Sequence, residues 1–505
     1  MKTQEQWIEL KNNLNIENRA YINGEYSAAL SGKTIPVVNP ATDEIFTEIA
    51  RCESEDVDLA VSYARKAFQS GQWSESSPAH RKAILKQFAD LIDQNREELA
   101  LLETLDTGKP ISHSFSTDIP GAASSLRWYA EAIDKVYGEV APTEKDVHAF
   151  ISHQAIGVVA AVVPWNFPLW LACWKLGPAL AAGNSVILKP SEKSSLTAIF
   201  LGQLAKQAGL PEGVFQVITG FGHEAGDALA THQDVDCIAF TGSTRIAGQL
   251  MVRSGESNLK RVYAEAGGKN ANIVFEDCDD LEHAAAETAA GCFYNQGEVC
   301  VAATRLLVHE SIKDQFIEKV IEAAKAFAPK DPMDPSSSMG ALIDQDHKSK
   351  VLEYITLGQS EGAVLRCGGN VEGQGAFVEP TILDNVDNQY RVAQEEIFGP
   401  VLCVIPFKDE AQAIEIANDS KYGLGAALWS SNINRVHRVA KRLQAGSVWV
   451  NNYNEGDMTV PFGGFKMSGN GRDKSLHAIE KFTETKTTWI RLHAQKGTRS
   501  NPADD

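Results

Sequence analysis

The chain has 505 residues, a formal net charge of −19 at pH 7 and 43% hydrophobic residues. This length exceeds what one hydrophobic core supports, so we expect two or three domains. The negative charge argues against nucleic acid or an anionic membrane as a partner. The N-terminal segment lacks the apolar core of a secretion signal, and the longest apolar stretch, 156–165, is too short to span a membrane. We therefore expect a cytoplasmic protein.

The cysteines are scattered, without a Cys-x-x-Cys pair. They stand at positions 52, 173, 237, 278, 292, 300, 367 and 403. This spacing is typical of a protein from a reducing compartment. It predicts neither a disulfide framework nor a metal site.

Apolar, β-branched segments alternate with helical segments from residue 156 onward, as in a doubly wound parallel sheet. The predicted strands of this first series are 156–163, 185–188, 214–218 and 237–240. A second series begins with a strand at 272–275, followed by a helix at 280–295, a strand at 305–308 and a helix at 311–327. Two α/β sheet domains in tandem are therefore expected.

Two strand-like segments, 135–154 and 485–490, belong to neither series. Exposed strands of this kind could pair across subunits. The polar tail 494–505 is predicted to be flexible.

Cys300 and Glu265 carry the clearest chemistry. Cys300 follows the polar stretch 295–298, which favours a loop with solvent access, and Glu265 precedes the pair Gly267 and Gly268. A thiol can form a covalent acyl intermediate, and a carboxylate can activate the water that releases it. An isolated cysteine is more often an inert core residue, so that alternative stays open on this motif alone.

Polar residues at the ends of the predicted strands indicate further binding functions. Asn166, after the first strand, could donate to a developing oxyanion, or it could satisfy turn backbone. Lys189 and Glu192, after the second, could bind the hydroxyls of an adenosine ribose, which would favour NAD over NADP, or be surface charges. Gly242 and Ser243 could approach a pyrophosphate at a helix N-terminus, or form a tight turn.

Seven motifs, taken together and in order, resemble the NAD(P)-dependent aldehyde dehydrogenase superfamily from about residue 21 to 490. They are 164–168, 189–192, 240–243, 265–270, 293–305, 395–400 and 461–464. The resemblance implies that family's α/β fold, with two doubly wound domains and a small β element for oligomerisation. The implied bounds are 1–134 and 155–266 for the NAD-binding domain, 267–466 for the catalytic domain, and 135–154 and 480–493 for the oligomerisation strands.

The same resemblance implies a role for each matched residue. Cys300 would be the nucleophile, Glu265 the base for deacylation, and Asn166 the oxyanion donor together with the backbone N–H of Cys300. NAD is the implied cofactor, with NADP possible. Its implied binding residues are Trp165, Lys189, Glu192, Gly222, Gly242, Ser243, Glu396 and Phe398.

The chain departs from the family pattern at two positions. Ala266 follows the glutamate where the family usually has leucine, and Glu298 stands two residues before the cysteine where the family usually has glutamine. The carboxylate of Glu298 could raise the pKa of the thiol by like-charge repulsion, or it could point away.

The segment 451–462 corresponds to a family loop that borders the aldehyde tunnel. Phe167, Trp174 and Phe462 would form an apolar tube, with Glu455 and Asp457 at its mouth. Those two carboxylates would attract a cationic aldehyde and repel one that carries only a carboxylate, unless they face solvent.

Within the superfamily, the chain is most similar to enzymes that oxidise γ-glutamyl-γ-aminobutyraldehyde and other ω-aminoaldehydes in polyamine breakdown. A general aliphatic or betaine-type aldehyde dehydrogenase is one alternative. A catalytically silent structural protein on the same fold is another. Glu265 argues against a coenzyme-A-acylating relative, since such enzymes usually lack that base. The resemblance also implies a homodimer or homotetramer.

Overall fold

The computed structural model of the protein describes residues 1–370 and 373–492. Its strands are β1 (Ala20–Ile22), β2 (Glu25–Ser27), β3 (Thr34–Asn39), β4 (Glu44–Ala50), β5 (Glu139–Ala141), β6 (Val147–Ala155), β7 (Val158–Val162), β8 (Ser185–Lys189), β9 (Phe215–Val217), β10 (Cys237–Thr241), β11 (Arg261–Glu265), β12 (Ala271–Val274), β13 (Arg305–His309), β14 (Val364–Cys367), β15 (Thr381–Asp384), β16 (Val401–Phe407), β17 (Tyr422–Gly423), β18 (Gly425–Trp429), β19 (Ser447–Val450), β20 (Phe465–Lys466) and β21 (Thr483–Arg491).

The helices are α1 (Gln4–Asn12), α2 (Ser54–Gln69), α3 (Pro78–Gln94), α4 (Arg96–Thr107), α5 (Ile111–His113), α6 (Ile119–Ala132), α7 (Pro168–Ala181), α8 (Leu196–Ala208), α9 (Asp227–Thr231), α10 (Thr244–Glu256), α11 (Leu281–Phe293), α12 (Lys313–Ala324), α13 (Gln345–Glu361), α14 (Arg391–Gln394), α15 (Glu410–Asn418), α16 (Ile433–Arg442) and α17 (His477–Glu480). None of the helices described is long and apolar enough to cross a membrane.

The first large sheet has the strand order β11-β10-β7-β8-β9-β1-β2. Its strands β7 to β11 pair in parallel, and β1 pairs antiparallel with β9. Alternate residues of β7 point to opposite faces, so Val159 packs into one hydrophobic cluster and Ala160 into another. Both faces are therefore covered by helices, which explains why these strands are continuously apolar in sequence.

The second large sheet has the order β14-β15-β16-β13-β12-β18-β19. It is parallel apart from the antiparallel pair β14 and β15. Ile273 and Val274 of β12 again face two separate clusters. The predicted class, two doubly wound α/β sheets, is confirmed, and the chain passes from one sheet to the other between Glu265 and Ala271.

A third sheet has the order β21-β6-β5. Strands β6 and β21 pair antiparallel over nine residues each, from Thr483 opposite Ala155 to Arg491 opposite Val147. The sheet carries exposed apolar side chains, among them Val140, Phe150, Trp489 and Ile490. Its role in oligomerisation stays a prediction. The predicted flexible tail, 494–505, and residue 493 lie outside the described residues.

Candidate active site

A cavity of about 220 Å³ lies where the carboxyl ends of β7, β10 and β11 meet the second sheet domain. Ligands of open α/β sheets bind at this edge. The cavity is lined by Pro164, Trp165, Asn166, Leu171, Trp174, Thr241, Gly242, Ser243, Glu265, Ala266, Gly267, Cys300, Glu396, Phe398, Phe462 and Asp473. The three residues with predicted chemical roles, Cys300, Glu265 and Asn166, are thus brought together from three distant parts of the chain.

Cys300 follows a tight turn at the end of α11. Asn295 and Gln296 have φ angles of 48° and 58°, which reverse the chain toward the cavity. The Cys300 carbonyl accepts a hydrogen bond from Asn270 Nδ2 at 2.9 Å. A Cβ atom at Gly268 would lie 2.6 Å from that carbonyl oxygen, so the glycine is needed for this close approach. Burial, with Glu396 and Glu265 nearby, raises the pKa of the Cys300 thiol to about 12.

Glu265 is the last residue of β11 and its side chain is almost fully buried. Neither carboxylate oxygen has a hydrogen-bond partner among the described residues. A Cβ atom at Gly463 would lie only 2.6 Å from Oε1, so this glycine leaves room for the carboxylate. Burial and the charge of Asp473 raise the pKa of Glu265 well above its ordinary value. Once ionised, it is a stronger base than an exposed carboxylate.

A buried ion cluster borders Glu265, and the sequence analysis missed it. Asp473 accepts hydrogen bonds from Lys175 of α7 and from Lys481, the latter at 2.5 Å. Burial alone would raise the pKa of Asp473, but the two lysines hold it below its ordinary value. Lys175 and Asp473 are 298 residues apart, so no local sequence signal links them.

Asn166 lies directly after β7 and is buried. Its Nδ2 donates to the Glu298 carbonyl at 2.9 Å, and its Oδ1 has no partner within the described chain. Because a side-chain amide carries two N–H groups, one remains for a group in the cavity.

Glu298 points away from the thiol. Its Oε1 accepts from the Ile343 N–H at 2.9 Å, and its Oε2 accepts from Gln296 Nε2 at 3.4 Å. Burial raises the pKa of Glu298 well above its ordinary value. The sequence left open whether Glu298 faces the thiol or points away from it, and these hydrogen bonds support the second possibility.

Five of the predicted cofactor residues line the cavity: Trp165, Gly242, Ser243, Glu396 and Phe398. The ring of Trp165 contacts that of Phe398 edge-on at 5.2 Å between centroids. Glu396 Oε1 accepts from the Gly268 N–H at 3.0 Å, and burial raises the pKa of Glu396 to about 7.

The other three, Lys189, Glu192 and Gly222, lie outside that cavity but near one another. Lys189 Nζ is buried, donates to the Pro190 carbonyl at 2.9 Å and lies 3.8 Å from Glu192 Oε2. A Cβ atom at Gly226 would lie 3.6 Å from Lys189 Cε. Gly222 begins the π-helical segment Gly222–Gly226, with no atom within 4 Å of where its Cβ would be. Through Gly226 this segment lies close to the side chain of Lys189, a buried cation that suits an anionic ligand.

The predicted substrate residues divide into two groups. Trp174 and Phe462 line the cavity, with their ring centroids 5.3 Å apart. Phe167 does not line it, because its ring packs against Trp170 and under the Lys109 ammonium, 4.3 Å from the centroid.

Glu455 and Asp457 are exposed and are not part of the cavity wall. The Asp457 carboxylate instead accepts from the N–H and the hydroxyl of Thr459, at 2.8 and 2.6 Å. Both carboxylates can therefore attract or repel a charged ligand only from outside the cavity, without contacting a ligand inside it.

Comparison with known proteins decides the family. Residues 26–488 match the model of the aldehyde dehydrogenase family. The chain belongs to this family.

Individual members are similar over nearly the whole chain. The NADP/NAD-dependent aldehyde dehydrogenase PuuC of Escherichia coli is 60% identical over 488 residues, which cover 97% of this chain and 98% of PuuC. The aminoacetaldehyde dehydrogenase of Pseudomonas aeruginosa is 44% identical, with coverage of 97% and 98%.

Two solved structures show the same fold. The γ-glutamyl-γ-aminobutyraldehyde dehydrogenase of Burkholderia cenocepacia has a TM-score of 0.96 and 52% identity, and covers 97% of this chain and 100% of its own. The indole-3-acetaldehyde dehydrogenase AldA of Pseudomonas syringae, in complex with NAD+ and IAA, has a TM-score of 0.97 and 56% identity, with the same coverage.

Proposed function

We propose that this enzyme oxidises an ω-aminoaldehyde, such as γ-glutamyl-γ-aminobutyraldehyde, to the carboxylic acid with NAD, through a thioester on Cys300. One observation carries the proposal. The thiol of Cys300, the carboxylate of Glu265 and the amide of Asn166 face one cavity, whose wall also contains predicted cofactor residues.

The residues present fit a dinucleotide. Gly242 and Ser243 precede α10, whose N-terminal N–H groups favour a phosphate. Lys189 and Glu192 would hold the adenosine ribose, with Gly222 at the pyrophosphate. Glu396, Phe398 and Trp165 would hold the nicotinamide end. When bound, NAD accepts the hydride that leaves the substrate carbon. The carboxylate of Glu192 favours NAD over NADP, since it would repel a ribose phosphate.

Cys300 carries out the first step. Its thiol gives its proton to solvent as the sulfur attacks the aldehyde carbon, and the oxygen becomes an oxyanion that the free N–H of Asn166 and the backbone N–H of Cys300 stabilise. Loss of hydride from the same carbon leaves a thioester on Cys300. The aldehyde carbon is thereby oxidised, and the sulfur stays bonded to it.

Glu265 carries out the second step. Its carboxylate takes a proton from water, and the resulting hydroxide attacks the thioester carbon. The carbon–sulfur bond breaks, the acid leaves, and Cys300 is regenerated. Both carboxylate oxygens lack a partner among the described residues and Glu265 lines the cavity, so a water there would find an acceptor.

The aminoaldehyde substrate is supported by the two relatives and the solved structure that are named for such compounds. A second candidate, an arylacetaldehyde, is favoured by the aromatic wall of Trp174 and Phe462 and by the 56% identity to AldA. We also infer a homodimer or homotetramer, because the sheet of β5, β6 and β21 exposes apolar side chains.

An NADH absorbance assay with a panel of aldehydes tests the function. We expect the highest kcat/KM for γ-glutamyl-γ-aminobutyraldehyde, a lower value for 3-aminopropanal and the lowest for hexanal, without a requirement for coenzyme A. A clear preference for indole-3-acetaldehyde would support the second candidate. Absence of NADH formation with every aldehyde would indicate the silent structural protein instead.

A further inference from the structure

A cation that the proposed chemistry does not use packs against a residue of the cavity wall. The Lys474 ammonium lies over the ring of Trp174, 5.6 Å from its centroid, and Trp174 belongs to the cavity wall. The Lys474 side chain is half-buried. A Cβ atom at Gly456 would lie 3.9 Å from Lys474 Nζ, so the ammonium also faces the loop that borders the tunnel.

The nearest acids in the described part of the chain do not neutralise Lys474 directly. Asp473 is already paired with Lys175 and Lys481 inside the protein. The Asp457 carboxylate accepts hydrogen bonds from Thr459 and acts on Lys474 only at longer range. Burial lowers the pKa of Lys474, and Asp457 opposes that change. A partly desolvated cation gains more from a close carboxylate than one in water does.

The backbone holds Lys474 at this place. Asp473 and Phe462 exchange two backbone hydrogen bonds of 2.7 Å each, and the Ser475 N–H donates to the Met458 carbonyl at 2.9 Å. Lys474 and Ser475 have φ angles of 61° and 50°, a left-handed conformation that non-glycine residues rarely adopt. Such a conformation persists where surrounding contacts fix it, and it is frequent at ligand sites.

The wall residue Trp174 therefore carries a cation, Lys474, and an anion, Asp457, lies within electrostatic range of that cation. γ-Glutamyl-γ-aminobutyraldehyde ends, far from its aldehyde, in an α-amino acid group with one ammonium and one carboxylate. A simple aminoaldehyde has the ammonium only. We propose that Lys474 binds a carboxylate at the remote end of the substrate, so that the enzyme selects long aldehydes with a zwitterionic α-amino acid head.

This inference rests on the proposed function and names its substrate class more closely. It also revises the expectation that an aldehyde carrying only a carboxylate is repelled at the tunnel mouth. That expectation considered Glu455 and Asp457, neither of which lines the cavity, and left out Lys474, whose ammonium lies over the wall residue Trp174.

The test compares Lys474→Met with the wild type on γ-glutamyl-γ-aminobutyraldehyde, its α-methyl ester and hexanal. Methionine keeps an unbranched apolar chain over Trp174. In the variant, we expect the kcat/KM for the γ-glutamyl substrate, divided by that for hexanal, to fall about tenfold. The loss should appear as a higher KM, because about tenfold is the contribution of one charge-assisted hydrogen bond. In the wild type, the methyl ester should have a kcat/KM about tenfold below that of the γ-glutamyl substrate, because it lacks the carboxylate. Lys474→Met should not lower the kcat/KM for the ester further. Lys474→Arg should restore most of the ratio.

Lys66→Met is the matched control, since the Lys66 ammonium lies over the Tyr63 ring at 5.5 Å, outside the cavity wall. It should leave the ratio unchanged. An unchanged ratio in Lys474→Met, or an equal loss on all three substrates, would overturn the role of Lys474 while leaving the proposed function intact. A wild type that oxidises no aminoaldehyde would overturn both.

Discussion

At the residue scale, the proposed nucleophile, Cys300, is a thiol in a site that disfavours its charged form. Burial contributes most to the raised pKa of Cys300, followed by the carboxylates of Glu396 and Glu265. In the free enzyme the thiol is therefore protonated at neutral pH, which protects it from oxidation and alkylation. Glu298 is closer in sequence than either carboxylate, but it accepts a hydrogen bond from the Ile343 N–H and is not among the main causes of the raised pKa of Cys300.

This arrangement predicts different effects for two similar substitutions. Glu396→Gln should lower the pKa of Cys300, because it removes a nearby negative charge. Iodoacetamide should then alkylate Cys300 several-fold faster at pH 8. The difference should vanish well below pH 7, because the pKa of Glu396 is about 7 and the wild-type carboxyl is then neutral as well.

Glu298→Gln is the control, since glutamine can still accept from the Ile343 N–H; it should leave the alkylation profile unchanged. Cys300→Ala measures the background from the other thiols. An acceleration by Glu298→Gln equal to that by Glu396→Gln would contradict the assignment.

At the element scale, one buried ion cluster ties three segments together beneath Glu265. Lys175 belongs to α7, Asp473 to the loop after β20, and Lys481 to the turn that leads into β21. Because both lysines would stay buried without a partner, Asp473→Asn should lower the free energy of unfolding by about 3 kcal/mol.

The same cluster predicts a pH dependence. The pKa of Asp473 is below its ordinary value, so its stabilising contribution is fully present above about pH 4, the pKa of an unfolded-chain aspartate, and is lost as pH falls below it. Unfolding measured between pH 3 and 7 checks both the loss in Asp473→Asn and the pH dependence of the wild type.

Glu256→Gln is the control, because it removes an exposed ion pair with Arg253. It should lower the free energy of unfolding by less than about 1 kcal/mol. Equal losses of unfolding free energy in Asp473→Asn and Glu256→Gln would show that Asp473 does not stabilise the fold through the buried ion cluster.

At the scale of the whole molecule, the site exists only because two sheet domains meet. Glu265 ends the last strand of the first sheet, and Cys300 lies between α11 and β13 of the second. Neither domain alone contains both groups, so the proposed acylation and deacylation would depend on how the domains are packed.

The sequence predicted the strands that position the site, because buried parallel strands are recognisable as short apolar runs. The local motifs also singled out Cys300, Glu265 and Asn166, which the structure brings to one cavity, while their chemical roles stay predictions. It could not predict the pairing of Asp473 with Lys175, the place of Lys474 over Trp174 or the direction of Glu298. Each of these depends on contacts between segments far apart in the chain.

The division of the two steps between Cys300 and Glu265 is tested most directly by a single-turnover experiment with Glu265→Gln. Mixed with NAD and aldehyde, this variant should release one NADH per active site and then stop, because acylation proceeds and the water is no longer activated. Mass spectrometry should find the acyl group on Cys300, and Cys300→Ser should show neither NADH nor adduct. Full steady-state turnover in Glu265→Gln, or an acyl group on another residue, would contradict the proposed mechanism.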